Sequence, residues 1–226
     1  MTESELDQAI DQIRKVTMEA VRLDRKILKK TWGLYYIVWA IAIALFDTVY
    51  IPIAGIRNQT IQIILFFVIY GAIFFMAMYV TTSLFKRARA LGKLSRGFVE
   101  ESIRNRIATI FINVLLFIMI LFLASGILRY PIGLIGLFII FLLIYTGIFR
   151  GMKKDMGEIP FEGYLSSGSF LFSAALSALS SFLGYGYTLY GFIWLIASGC
   201  WFISGYISLR DYTKMMEETS EHLRVD

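Results

Sequence analysis

The sequence predicts an all-α, polytopic membrane protein: six transmembrane helices arranged as three hairpins, preceded by an N-terminal cytoplasmic amphipathic helix. Three observations carry this. Of 226 residues, 58% are hydrophobic and only 17% charged, where soluble domains carry about 25% charged residues. The charges gather in a few stretches that separate long uncharged runs. The runs are continuously apolar, unlike the ~10-residue alternating strands of a membrane barrel. The same composition excludes a disordered chain, and one Cys and three Pro exclude a disulfide scaffold and a collagen-like chain.

Each run is measured against the roughly 20 apolar residues that cross a hydrocarbon core of about 30 Å. Trp32 to Phe46 is uncharged, Asp47 interrupts, and apolar character resumes to Ile56, giving a first span near 32–52. Asn58 to Phe85 gives a second near 60–85, and Ile107 to Leu128 a third over 107–128. A short link at Arg129-Tyr130-Pro131 ends that helix and restarts the chain, because proline disfavours helical continuation through the residue before it. The fourth span covers 131–149. The uncharged run Gly163 to Leu209 holds 47 residues, too long for one crossing. It divides into spans near 167–185 and 188–209 around the glycine-punctuated turn Gly184-Tyr185-Gly186-Tyr187. The chain thus reads as a cytoplasmic helix over 1–31, a transmembrane domain over 32–209 and a cytoplasmic tail over 210–226. The hairpins begin near 32, 107 and 169, with no constant repeat.

Basic residues set the orientation. Of 22 Lys and Arg residues, all but Arg57 and Arg129 lie in 1–31, 86–106, 150–162 and 210–226. Both termini are therefore expected in the cytoplasm, which an even number of spans also requires. The first residues are partly acidic (Glu3, Glu5, Asp7 and Asp11), unlike a cleavable signal peptide, so the first span is expected to act as its own insertion signal. The expected location is a plasma (inner) membrane, multi-pass.

The soluble pieces have patterns of their own. Leu6, Ala9, Ile13, Val16, Ala20, Leu23 and Ile27 follow the 3,4 spacing of a heptad seam. Such a helix docks a partner or dimerises, or else lies on the membrane or on its own neighbours. Segment 86–106 is a basic amphipathic stretch with Leu91, Leu94 and Phe98 on one face. Gly92 and Gly97 weaken it as a helix. Its Lys86, Arg87, Arg89, Lys93 and Arg96 are expected to meet lipid headgroups or a protein partner. In the tail, Tyr212, Met215, Met216, Thr219 and Leu223 continue the last span as one helical face.

Few residues in the spans can carry chemistry. Asp47 lies about 6 Å from the outer end of its span. It serves either as an outer-rim ion pair with Arg57 or Arg129, or as a substrate or proton site. Asn113 either hydrogen-bonds to a neighbouring helix or joins such a path. Ser169, Ser173, Ser177 and Ser181 recur every four residues in the fifth span, a small-residue row that brings helix backbones close or lines a polar route. The packing reading expects Gly191, Ser198, Ser204 and Gly205 of the sixth span as its counterpart. The path reading groups Asp47, Asn113, Ser173 and Ser177. Gly184-Tyr185-Gly186 lacks the Thr-Val prefix and pore helix of a potassium filter and reads as a turn rimmed by tyrosine. Cys200 is a small packing residue.

His222 is the only histidine, and no nucleophile elbow, phosphate-binding loop or cysteine pair is present. The expectation is a protein without catalysis, metal or cofactor. Topology accounts for the basic excess, so no nucleic-acid partner is expected. Two functional readings remain. One is the membrane-embedded permease subunit of a multi-component transporter, partnered by a cytoplasmic ATPase or another protein subunit, on likeness of layout alone. The other is a non-transporting scaffold, assembly or regulatory protein acting through its cytoplasmic helices. A homo-oligomer is compatible with both.

Overall fold

A computed structural model describes residues 3–96, 110–111, 114–115, 118, 131–183 and 187–225. Five long helices organise them: α1 (Glu3–Ala54), α2 (Gln59–Arg96), α3 (Pro131–Met156), α4 (Phe161–Phe182) and α5 (Tyr187–Val225). No strand occurs among the described residues. Three stretches are long and apolar enough to cross a membrane: Ile10–Ala54, Gln59–Ala88 and Gly191–Glu217.

Local chemistry sets the ends. Asn58 caps α2, its Oδ1 accepting from the backbone N–H of Thr60 at 3.1 Å and of Ile61 at 3.2 Å, which satisfies two orphan donors of the first turn. Gly157, at φ +84°, closes α3, and its N–H reaches the Lys153 carbonyl at 3.0 Å. A left-handed residue is needed there, and glycine takes it without steric cost. Pro131 opens α3, where its missing N–H has no helical partner to lose.

No helix break occurs at residue 31. The expected cytoplasmic helix and first span form one continuous α1 of 52 residues, about 78 Å long at 1.5 Å per residue. Likewise α5 runs from the apolar segment into the tail, and α2 carries on into the basic segment as far as Arg96.

The contacts pair the helices antiparallel. Tyr70 donates to the Phe46 carbonyl at 2.7 Å and Trp32 meets Phe85 at 5.0 Å, so α2 runs back along α1. Ser198 donates to the Ala40 carbonyl and Ser208 to the Lys29 carbonyl, so α5 also runs against α1. Ser173 donates to the Ile193 carbonyl, which sets α4 against α5. Tyr145 donates to the Ser167 carbonyl and Met152 abuts Gly163, setting α3 against α4. α1 and α4 therefore run one way, and α2, α3 and α5 the other.

The inside and the outside are both rich in apolar side chains, unlike a soluble bundle. Buried among the helices are Trp32, Tyr36, Trp39, Phe74, Trp194 and Trp201, with Ser166, Ser173, Ser177, Ser204 and Ser208. Outside are Phe67, Phe75, Met76, Phe172, Leu179, Phe192, Ile196, Phe202 and Ile203. Exposed large apolar side chains on helices long enough to cross a membrane suit a membrane-embedded protein. Inside, small residues let backbones approach and hydroxyls bond across the interface. The closest crossing is at Gly33 and Gly205: a Cβ on Gly205 would fall 2.9 Å from the Gly33 carbonyl and 2.6 Å from Ile37 Cγ1. Edge-to-face rings fill the remaining space. Tyr36 meets Trp201 at 5.9 Å, Trp39 meets Phe74 at 5.9 Å and Phe170 meets Trp194 at 5.0 Å, each such pair adding about 0.5–1.5 kcal/mol beyond area burial.

Candidate functional site

The most polar buried constellation lies where α1, α4 and α5 meet at one end of the bundle. Lys29 Nζ is 2.6 Å from Glu162 Oε1 and 3.3 Å from Asp211 Oδ2. Glu162 is only 2% exposed. It sits in the first turn of α4, where the helix macrodipole favours a carboxylate. Pro160 positions it, since the N–H groups of Gly163 and Tyr164 already bond to the Pro160 carbonyl. Around the cluster stand Tyr36, whose hydroxyl lies 3.7 Å from Met152 Sδ, and Ser166, which donates to the Gly163 carbonyl. Asp24 and Lys26, also buried, lie one to two turns back along α1 from Lys29. One lysine thus joins three helices at this level. A buried charge of this kind is tolerated only while its partner is present.

Contacts bring all five helices to this place. Trp32–Phe85 brings in α2, and Tyr36–Met152 brings in α3. Lys30 lies over the Tyr212 ring at 5.3 Å, bringing in the tail half of α5. Exposed at the same end are Arg22, Arg25, Lys30, Lys86, Arg87, Arg150, Lys153, Arg210 and Lys214.

The expected path residues are distributed differently. Asp47 is half-buried, its Oδ1 3.3 Å from where a Gly191 Cβ would stand. It is eighteen residues along α1 from Lys29, about 27 Å at the helical rise. Ser173 and Ser177 are buried on one face of α4. Ser173 bonds to the Ile193 carbonyl, while Ser177 makes no hydrogen bond among the described residues. Asp47 and these serines reach α5 from two different helices. Asn113 lies outside the described residues, as do Gly184, Tyr185 and Gly186.

The small residues divide between two interfaces. Ser173 packs on α5 and Ser169 donates to the Ser166 carbonyl within α4. Gly191, Ser198 and Gly205 meet Asp47, Ala40 and Gly33–Ile37 of α1, not the serine row of α4 as expected. The reason is that α5 lies between α1 and α4 and turns its smallest side chains to the closer crossing. Ser204 donates within its own helix, to the Cys200 carbonyl. The side chain of Ser181 lies outside the described residues, as do those of Arg89, Lys93, Arg96 and His222.

Between α4 and α5 an outward-facing groove of about 350 Å³ is lined by Tyr164, Leu165, Gly168, Ser169, Phe172, Ser173, Ile196 and Cys200. Its two serine hydroxyls are already bonded to backbone carbonyls, so it offers an occupant mainly apolar contact.

Beyond the ionic cluster and the buried Asp24 and Lys26, the described side chains of α1 are mostly exposed toward its N-terminus. Ile10, Ile13, Val16 and Leu23 are exposed there, Ile13 and Val16 each at 66%. Those two sit three residues apart on one face, with Ala20 and Leu23 continuing the seam. Sequence reasoning identified this stripe but missed Lys29, Glu162, Asp211 and Gly33. Glu162 had a local signal: it is the last charge before the 47-residue uncharged run and follows Pro160. Gly33 had none, because a close crossing is a property of two helices together.

No protein-family model matches this chain, nor does any curated protein or solved structure.

Proposed function

We propose that this chain is a membrane-embedded assembly protein that presents its N-terminal helix to a protein partner on the cytoplasmic side. The observation that carries the proposal is the division of α1. One half is clamped between α2 and α5, while the other carries an apolar stripe, Ile13 and Val16, that is exposed among the described residues. A continuous helix transmits position well, so a partner bound at Ile13 and Val16 would be held in fixed relation to the bundle.

The helix directions support the wider topology. α2 and α3 run the same way, and residues 107–128, which lie almost wholly outside the described residues, are uncharged along their whole length. A crossing there would complete six spans and leave the exposed cations on the cytoplasmic side, in keeping with the basic-residue rule.

Affinity purification from native membranes in mild detergent, with the intact protein and with Ile13→Ser/Val16→Ser, tests the proposal. A protein captured by the intact chain and lost with the double substitution is the expected result. Equal capture by both would overturn it. A permease role is the second reading, favoured by the half-buried Asp47 against α5. It requires that Asp47→Asn or Ser177→Leu abolish a flux at unchanged protein level.

A further inference from the structure

We propose that the charged end of the bundle is a binding surface for anionic phospholipid headgroups, formed jointly by α1, α2, α3 and α5. The inference rests on membrane embedding and not on the docking role of α1. Its starting point is the surplus of exposed cations at this end. Arg25, Lys86, Arg87, Arg150, Lys153 and Lys214 stay on the outside, with Glu158 and Glu217 as exposed acids among them. Glu162 and Asp24 are buried, as is Lys26, and Asp211 turns inward to Lys29. Exposed bases thus outnumber exposed acids on this surface.

Depth is the second observation. The cations directly follow aromatic residues that pack on the edge of the core: Lys86 succeeds Phe85, and Arg150 succeeds Phe149. Exposed Phe161 and Tyr164 lie at the same level, beside Glu162. Aromatic side chains of this kind settle at the headgroup boundary, which places the neighbouring cations among phosphates rather than in open solvent. Several helices contribute to the ring, so one helix cannot supply it alone. The opposite end carries Arg57 as its exposed counterpart among the described residues.

A phosphate diester is the group this surface fits, because scattered ammonium and guanidinium groups at one depth match a layer of separate monoanions. Adjacent basic residues attract such a surface cumulatively, within a Debye length.

The full-length protein in mild detergent, titrated with phosphatidylglycerol and with phosphatidylcholine of the same acyl chains, is read by native mass spectrometry. The expected result is preferential retention of phosphatidylglycerol, weakened by raising salt. Neutralising Lys86→Gln, Arg87→Gln, Arg150→Gln and Lys153→Gln together should reduce that preference by about tenfold or more, while Arg57→Gln leaves it intact. Glycerol phosphate, which offers the headgroup charge without chains, should not compete at equal concentration. Equal retention of the two lipids by the unmodified protein, or full preference in the fourfold variant, overturns the proposal. If the fourfold variant does not fold, the salt titration of the unmodified protein decides: a preference indifferent to salt overturns the proposal. Failure to retain either lipid would instead count against membrane embedding itself.

Discussion

The two halves of α1 share one backbone and differ in almost everything else. From Lys29 to Ile53 the helix is lined on two sides: Tyr70 bonds to its Phe46 carbonyl from α2, and Ser198 and Ser208 bond to its Ala40 and Lys29 carbonyls from α5. From Ile10 to Leu23 the helix is mostly exposed, with its largest apolar side chains outside. The contrast shows that the helix state here does not report the environment. Apolar surface faces outward in both halves; in the proposed arrangement it meets lipid in the first and water or a partner in the second. Lys29 stands at the junction. Its contacts to Glu162 and Asp211 tie this point of α1 to α4 and α5.

Breaking that junction should have the largest effect. Lys29→Met leaves Glu162 charged, buried and unpaired, at an expected loss of about 3–5 kcal/mol in reversible unfolding from detergent. Combining it with Glu162→Leu should restore much of the loss, since an apolar pair of similar volume needs no ionic partner. Next is the close crossing. Gly205→Leu would drive a side chain into the Gly33 carbonyl and Ile37, and should lose about 1–3 kcal/mol as overpacking, read from the same unfolding curves. Smaller still is Ser198→Ala, which removes one bond to the Ala40 carbonyl. Such interhelical bonds in a bilayer average about 0.6 kcal/mol, and thermal unfolding should show a correspondingly small shift. At the far end of the range, Ile13→Ser/Val16→Ser should change bundle stability by under about 0.5 kcal/mol, while removing partner capture. A large destabilisation by that pair would erase the distinction between the halves.

The sequence anticipated a good part of this. Uncharged runs located the apolar helices, because the bilayer imposes a length that composition can express. The heptad seam identified Ile13, Val16 and Leu23 as a stripe, because helical period is local. Pro131 restarts the chain as a helix by local chemistry as well. What escaped was relational. Lys29 and Asp211 are separated by 182 positions and read as ordinary positive-inside and tail charges, until α5 folds back on α1. Gly191, Ser198 and Gly205 were recognised as small but assigned to the wrong neighbour, since residue size does not say which of two flanking helices comes closer. The continuity of α1 through residue 31 was hidden by the change from charged to apolar, which marks a change of solvent and not of backbone.

The central claim is that α1 is one helix with an embedded half and a projecting half. Spin labels placed singly from residue 10 to residue 54, on a chain with Cys200→Ala in lipid bilayers, test it most directly. Accessibility to a water-soluble nickel chelate and to oxygen, measured site by site, separates water from lipid. The account predicts chelate access at Ile13 and Val16 with little oxygen contact, and a reversal to oxygen access on the outer face beyond Trp32, at Ile41 and Leu45. Strong oxygen contact at Ile13 and Val16 would mean that the stripe lies in the bilayer surface, and would contradict the account.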